Sequence, residues 1–105
     1  LLSPDFPWTL PGRALLIDDR QSIGLMIHEE DHLRAQAITP GWSIRQADKA
    51  AYGVTDAIAK QCPFAWSPKF GFLTASVANC GEGSRHSAML HLIGLATTGQ
   101  MNDVI

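Results

Sequence analysis

Residues 22–38 read SIGLMIHEEDHLRAQAI, and this stretch decides the fold because two apolar segments enclose a dense cluster of charge. The segment Ser22–Ile27 carries β-branched isoleucines and ends at the charges, so it predicts a buried strand. The segment His32–Ile38 alternates between apolar and polar residues with a period of two, which is typical of a strand. The sequence therefore predicts two antiparallel strands joined at the acids Glu29-Glu30-Asp31.

The chain upstream of this stretch adds one more strand to the predicted sheet. Arg13–Asp18 is a short apolar run, and Asp18–Gln21 has the composition of a turn, so this run and the strand that follows it form a hairpin. Residues 1–12 contain three prolines and predict an irregular arm. We expect Phe6 and Trp8 of this arm to dock on the body of the protein.

A long helix is predicted downstream, over Ser43–Gln61. Ser43 and Gln46 have the spacing of a capping box, and Pro63 ends the helix. The apolar residues that recur with the spacing of one helical face are Ile44, Ala47, Ala51, Val54 and Ile58.

Four further elements are indicated after this helix. We expect a short strand over Phe64–Ser67, an extended segment over Phe70–Thr74, a strand over Ser84–Leu92 and the start of a second helix over Ala96–Ile105. Strands around a long helix predict the α+β class, with an antiparallel β-sheet flanked by helices.

Composition limits the kind of protein this is. A chain of 105 residues with 46% hydrophobic and 17% charged residues forms one domain with a core of moderate size. Its net charge is -2 and its arginines and lysines are scattered, so the sequence predicts no nucleic-acid partner and no membrane partner. The two cysteines, Cys62 and Cys80, lack metal or redox spacing, which favours a reduced cytoplasmic protein.

The acidic stretch supports three interpretations. His28-Glu29-x-x-His32 matches the pattern of zinc hydrolases, which requires a helix that presents both imidazoles on one face. The flanking segments favour strands instead, so that the acids form a loop facing a cationic substrate while Arg34 faces an anionic one. The plainest interpretation is a charged turn between two strands.

A second motif is the small-residue segment 74–85, TASVANCGEGSR. Gly81 and Gly83 bracket one residue, which allows backbone N–H groups to turn inward around an anion, and Arg85 adds a forked cation. The motif lacks the lysine of a Walker loop. By itself it fits an ordinary glycine turn at least as well as a phosphate site.

Together the two motifs resemble the catalytic domain of the ATP:guanido phosphotransferases, the family of creatine and arginine kinases. The stretches that carry the resemblance are Glu29–Arg34, Gly71–Thr74, and Asn79-x-Gly81 with Arg85. Two further segments, Met89–Leu92 and Thr98–Asn102, are most similar to the bacterial protein arginine kinase branch. The resemblance covers nearly the whole chain.

The resemblance implies that residues 1–105 are the central part of a guanido kinase catalytic domain. The implied reaction moves the γ-phosphate of ATP, with Mg²⁺, to a guanidinium group, either of arginine in proteins or of a small guanidino compound. It also implies a possible homodimer in the intact parent protein. The isolated 105 residues are then an incomplete enzyme, because the family domain is more than twice as long.

The resemblance also assigns the candidate site residues. Glu30 takes the place of the catalytic glutamate, and Glu29 joins it in the catalytic set. Glu29 and Asp31 shape the acidic pocket, and neighbouring acids act on magnesium through water. The residues assigned to the nucleotide are Arg34, Arg85, His32, Met89 and Asn79. Core packing explains Met89 equally well, and packing or hydrogen bonding is the plainer explanation of His32. No residue is assigned as a direct metal ligand.

Two departures from the family pattern bear on activity. The family has asparagine at the position of His28, and a reactive cysteine followed by proline at Ser76-Val77. Ser76 therefore takes a place in the catalytic set where it can hydrogen-bond to a guanidinium but cannot supply a thiolate at neutral pH. Two alternatives stay open: a zinc metallohydrolase that uses His28 and His32, and a non-catalytic pseudokinase that binds its ligands without turnover.

Overall fold

A three-stranded antiparallel sheet and one long helix organise residues 10–104, the part of the chain that the computed structural model describes. The strands are β1 (Ala14–Ile17), β2 (Ile23–Ile27) and β3 (Leu33–Ala37), and they lie in the order β1-β2-β3. The predicted hairpin and the third antiparallel strand are confirmed, each strand being slightly shorter than expected.

The turn between β1 and β2 is built by one carboxylate. Oδ1 of Asp18 accepts the N–H groups of Ser22, at 2.7 Å, and Ile23, at 2.6 Å, while Oδ2 accepts the Ser22 hydroxyl at 3.0 Å. These bonds hold the pKa of Asp18 below its ordinary value, and the bond from the Ile23 N–H has the largest effect. The local turn therefore fixes the register in which Ala14 faces Ile27 at the far end of the hairpin.

The register also sorts side chains between the two faces of the sheet. Residues paired across the strands share a face, so Leu16, Leu25 and Ala35 lie on one face, and Leu15, Met26 and Arg34 on the other. Among residues 10–104, Met26 is the one large side chain that is fully buried. The radius of gyration is 16.6 Å, against about 13 Å for a compact domain of this size. Much apolar surface on this chain is thus left uncovered.

Helix α1 (Ile44–Ala59) begins after Ser43 as predicted and packs against β3. The predicted capping box is wrong, because the Ser43 hydroxyl donates to the Pro40 carbonyl and contacts the Thr39 hydroxyl. The backbone carbonyl of Ser43 instead accepts the N–H of Gln46, at 3.0 Å. The serine therefore ties the helix start to the preceding loop.

A small second sheet follows, formed by β4 (Trp66–Ser67) and β5 (Gly71–Phe72), both shorter than the predicted segments. Phe72 and Gly81 then exchange two backbone hydrogen bonds, of 2.8 and 3.1 Å. This pair closes residues 73–80 into a loop, which we call the serine loop. Within it, Val77–Asn79 form a turn of 3₁₀ helix.

The strand predicted over Ser84–Leu92 is wrong, whereas the predicted second helix is present but is shorter and begins earlier in the chain. Ser84–Leu92 has no regular structure, since residues 10–104 provide it with no neighbouring strand and a strand needs one to pair its backbone groups. The second helix, α2, spans only Ile93–Thr97 and is followed by a 3₁₀ turn at Met101–Asp103. Gly99, at φ +71°, separates the two because a right-handed helix cannot continue through that conformation.

Sheets and helices together confirm the α+β class. The arm predicted for residues 1–12 lies mostly outside the described residues, as do Phe6 and Trp8. Over residues 10–104, no helix is both long enough and apolar enough to cross a membrane.

Candidate active site

The acidic cluster forms a five-residue loop, His28–His32, between β2 and β3; we call it the acidic loop. The His28 N–H donates to the His32 carbonyl at 2.9 Å, and His28 adopts a φ of +55°, so the chain turns back at once. The helix that the zinc-hydrolase interpretation requires is absent from this stretch, and that interpretation is wrong. Among the described residues, no three metal-ligating side chains lie close enough together to hold a metal ion.

An open cleft of about 640 Å³ lies against the acidic loop. All five loop residues line it, together with Leu10, Pro11, Gly12, Arg13 and Ala75. The pairing of Ala14 with Ile27 brings Arg13 beside the loop. The sequence contained this signal, because a hairpin places the residue before its first strand next to the residue after its second.

Glu29 is the structural acid of the cleft. Its Oε2 accepts the Glu30 N–H at 2.9 Å and lies 3.3 Å from Nη1 of Arg34. The Glu30 N–H, then the Arg34 guanidinium and the more distant charge of Arg13 hold the pKa of Glu29 below its ordinary value. Glu29 and Arg34, which the sequence assigned to catalysis and to the nucleotide, are therefore brought together as an ion pair.

Asp31 connects the acidic loop to the serine loop. Its Oδ1 accepts the Ser76 N–H at 3.0 Å, and its Oδ2 accepts Nδ2 of Asn79 at 2.6 Å. These two bonds hold the pKa of Asp31 below its ordinary value, and the bond from the Ser76 N–H has the larger effect. Ser76 and Asn79 are thus adjacent to the acids, although they follow Asp31 by 45 and 48 residues.

Glu30 differs from its two acidic neighbours. It is exposed, lines the cleft, and its carboxylate makes no hydrogen bond or ion pair with any residue of the 10–104 segment. It is therefore the carboxylate of the loop that is free to meet a substrate.

Thr74 organises the inside of the serine loop, a role that the sequence did not suggest. Its hydroxyl donates to the Ser76 carbonyl at 2.6 Å and lies 3.3 Å from the Cys80 sulfur. The side chain of Thr74, followed by its backbone, holds the pKa of the Cys80 thiol below its ordinary value.

Three further residues were predicted to bind the nucleotide, and they differ in their position relative to the cleft. His32 lines the cleft, with its ring edge-on to that of His28 at a centroid distance of 5.6 Å. Arg85 and Met89 are exposed and are not among the residues that line the cleft. Met89 is fully exposed, and residues 10–104 provide no core around it.

A link between the segment after the serine loop and helix α1 was also missed by the sequence reasoning. Nε2 of His86 lies 2.5 Å from Oδ1 of Asp48. Neither residue belongs to a recognisable motif, and only the fold brings them together. The contact fixes the backbone next to Arg85.

The candidate site thus combines the acidic loop, which connects two strands of the sheet, with the serine loop, which is hydrogen-bonded to it. Residues 1–105 match the sequence profile of the ATP:guanido phosphotransferase C-terminal catalytic domain. The chain belongs to this family.

Individual proteins that are similar to this chain share one name, protein-arginine kinase. The chain is 42% identical to the protein-arginine kinase of Bacillus pumilus, 39% to that of Bacillus velezensis and 37% to that of Halothermothrix orenii, in each case over its full length. It spans only 29 to 30% of the length of these relatives.

Proposed function

We propose that these 105 residues are the central part of a catalytic domain that transfers the γ-phosphate of ATP to the guanidinium group of arginine in proteins. Family membership and the names of the relatives support the reaction class. The observation that carries the assignment in this chain is the free Glu30 carboxylate, held in the cleft between two acids that are already paired.

The reaction requires a carboxylate in this position. A guanidinium has a pKa above 12, so the group stays positively charged at neutral pH and its nitrogens are poor nucleophiles. Glu30 orients the guanidinium by a charge-assisted hydrogen bond and accepts the proton that leaves as the N–P bond forms, while the bond between the γ-phosphorus and the β-phosphate oxygen breaks and ADP departs. The Ser76 hydroxyl gives the guanidinium a second hydrogen-bond partner.

The nucleotide is held by cationic groups. Arg34 and Arg85 bind the phosphates, and His32 and Met89 complete the nucleotide site, with Met89 near the adenine. Phosphoryl transfer depends chiefly on positioning and on neutralising charge at the moving group, which is the task of the two arginines. Arg34 must exchange part of its pairing with Glu29 for a phosphate oxygen when ATP binds.

Mg²⁺ fits the donor set of the acidic loop. Hard divalent cations prefer carboxylate and water oxygens, and Glu29, Glu30 and Asp31 are consecutive in the sequence. Because Glu29 and Asp31 are already engaged, we propose that the acids of this loop would act on Mg²⁺ through water. The ion supplies neutralisation of phosphate charge.

Several finer features belong to the same proposal. The protein acts in the cytoplasm, the intact parent forms a homodimer, and a small guanidino compound is the alternative substrate. Ser76 at the position of the family's reactive cysteine favours one competing function, a non-catalytic pseudokinase that binds nucleotide or arginine-bearing proteins.

The experiment is a radiolabelled-ATP assay on the full-length protein, with an arginine-rich protein and free arginine as acceptors. We expect phosphoarginine on the protein, and we expect Glu30→Gln to lower kcat by about 10²- to 10⁴-fold with little change in ATP binding. Asp56→Asn, an exposed side chain on α1, is the matched control. Nucleotide binding without turnover in the wild type would identify a pseudokinase, and full activity of Glu30→Gln would refute the role of Glu30.

A further inference from the structure

The acidic loop and the serine loop are joined through a single side chain. Within residues 10–104, the hydrogen bonds that connect the two loops both end on Asp31, one from the Ser76 N–H and one from the Asn79 amide. Ser76 immediately precedes the 3₁₀ turn and Asn79 is its last residue, so Asp31 holds that turn at both ends. We call this arrangement the Asp31 clamp.

The clamp acts next to the reacting groups on both sides. In the acidic loop, Asp31 directly follows Glu30. In the serine loop, the Ser76 N–H donates to Asp31 and the Ser76 carbonyl accepts from Thr74, and the preceding residue, Ala75, lines the cleft. Movement of Asp31 would therefore change the separation between Glu30 and Ser76.

We propose that Asp31 is a positioning residue that sets the distance between Glu30 and Ser76, and that Asn79 serves as the second donor of this clamp rather than as a nucleotide ligand. The proposal rests on the proposed function. It replaces the assignment of Asn79 to the nucleotide that the resemblance implied, because one N–H of the Asn79 amide is already donated to Asp31 at 2.6 Å and orients the side chain toward the acidic loop.

The chemistry of the two partners makes the clamp testable by exchange. An ionised aspartate accepts at both oxygens, as the clamp requires. Asparagine at position 31 would accept from Ser76 but would turn its NH₂ group toward the NH₂ group of Asn79. Aspartate at position 79 would face the Asp31 carboxylate. Exchanging the two residues restores one donor and one acceptor at each contact.

The test compares Asp31→Asn, Asn79→Asp and the double exchange with the wild type, in the full-length protein. We expect each single variant to lose about 10- to 100-fold in kcat, because a displaced catalytic group costs about this much. We expect the KM for ATP to stay within about threefold, since Asn79 is not a ligand in this proposal. The double exchange should recover most of the lost kcat.

The alternative outcomes are distinct. If the losses of the two single variants simply add in the double exchange, or if Asn79→Asp raises the KM for ATP without changing kcat, the clamp is refuted and Asn79 is a nucleotide ligand. Amide hydrogen exchange at Ser76 gives a readout besides activity, with protection in the wild type and the double exchange and its loss in Asp31→Asn. An inactive wild type with a protected Ser76 N–H would refute the proposed function while showing that the clamp exists.

Discussion

The Glu29 carboxylate lies 3.3 Å from the Arg34 guanidinium, across the base of the acidic loop. The last residue pair that joins their strands is Ile27 with Leu33. The ion pair therefore ties the two ends of the loop together and leaves its apex, with Glu30, exposed to the cleft.

The lowered pKa values of Glu29 and Asp31 predict a pH dependence of stability. A carboxylate whose pKa is depressed on folding stabilises the folded state above its unfolded pKa, and this stabilisation is lost as the pH falls through the folded pKa. We expect the Tm of the full-length protein to fall as the pH drops below about 4.5, the ordinary value for Glu29. Circular dichroism at stepped pH measures this.

The control for this pH dependence is a variant that lacks both carboxylates. The double variant Glu29→Gln and Asp31→Asn should have a lower Tm at neutral pH and a flatter decline below about pH 4.5, because it has lost both groups. Asp56→Asn should follow the wild-type curve. An unchanged slope in the double variant would mean that these two carboxylates do not govern acid stability.

Gly71→Ala should disrupt the base of the serine loop. Gly71 has a φ of +71°, and an added Cβ would collide with the carbonyl oxygen of Gly81, whose backbone is fixed by its pairing with Phe72. Gly41→Ala is the matched control, since Gly41 has a φ of +68° and open space around its Cβ position. We expect Gly41→Ala to cost about 1 to 2 kcal/mol from the conformation alone, and Gly71→Ala to cost more. Denaturant unfolding measures both, and equal losses would show that the contact with Gly81 is unimportant.

Gly53→Ala should stabilise the protein. Gly53 lies inside helix α1, its conformation is helical, and no atom lies within 4 Å of the Cβ that alanine would add. Glycine at such a position costs about 1 kcal/mol relative to alanine. We expect the free energy of unfolding to rise by roughly that amount, with kcat unchanged. A loss of stability would mean that the exposed face of α1 is covered in the full-length protein.

The contact between His86 and Asp48 should protect the backbone at Arg85. Both side chains are partly exposed, so the contact is worth about 0.2 to 1 kcal/mol. Asp48→Asn should then speed limited tryptic cleavage after Arg85 by at most about fivefold. Cleavage after Lys69, in the same digest, is the internal reference. Equal acceleration at both sites would indicate general loosening instead.

The isolated 105-residue chain should bind ATP weakly, form no phosphoarginine and self-associate. Arg34 and Arg85 are the two residues that match phosphate-binding positions, and loss of one such electrostatic contact costs about 10²- to 10³-fold in rate. The uncovered apolar side chains include Leu16, at 54% exposure, and Leu90, at 62%. A phosphotransfer assay with light scattering measures both properties. Strong activity of a monodisperse monomer would show that these residues are a complete enzyme.

The sequence alone determined the elements whose causes are local. A period of two predicted β2 and β3, a helical spacing predicted α1, and Asp18 is a side chain that builds its own turn. The acidic loop was predicted for the same reason, because charged residues between two apolar strands have no place inside a sheet. Two short motifs predicted the family, and the match of residues 1–105 to the family profile confirmed this prediction.

Tertiary structure decided everything that depends on distant partners. Ser84–Leu92 has the composition of a strand, yet a strand exists only where a neighbour pairs its backbone, and residues 10–104 offer none. The contact between Asp31 and Asn79 joins residues 48 positions apart. Sequence patterns report the periodicity of single elements, whereas the geometry of the site is set by which loops the sheet register and the Phe72–Gly81 closure bring into contact.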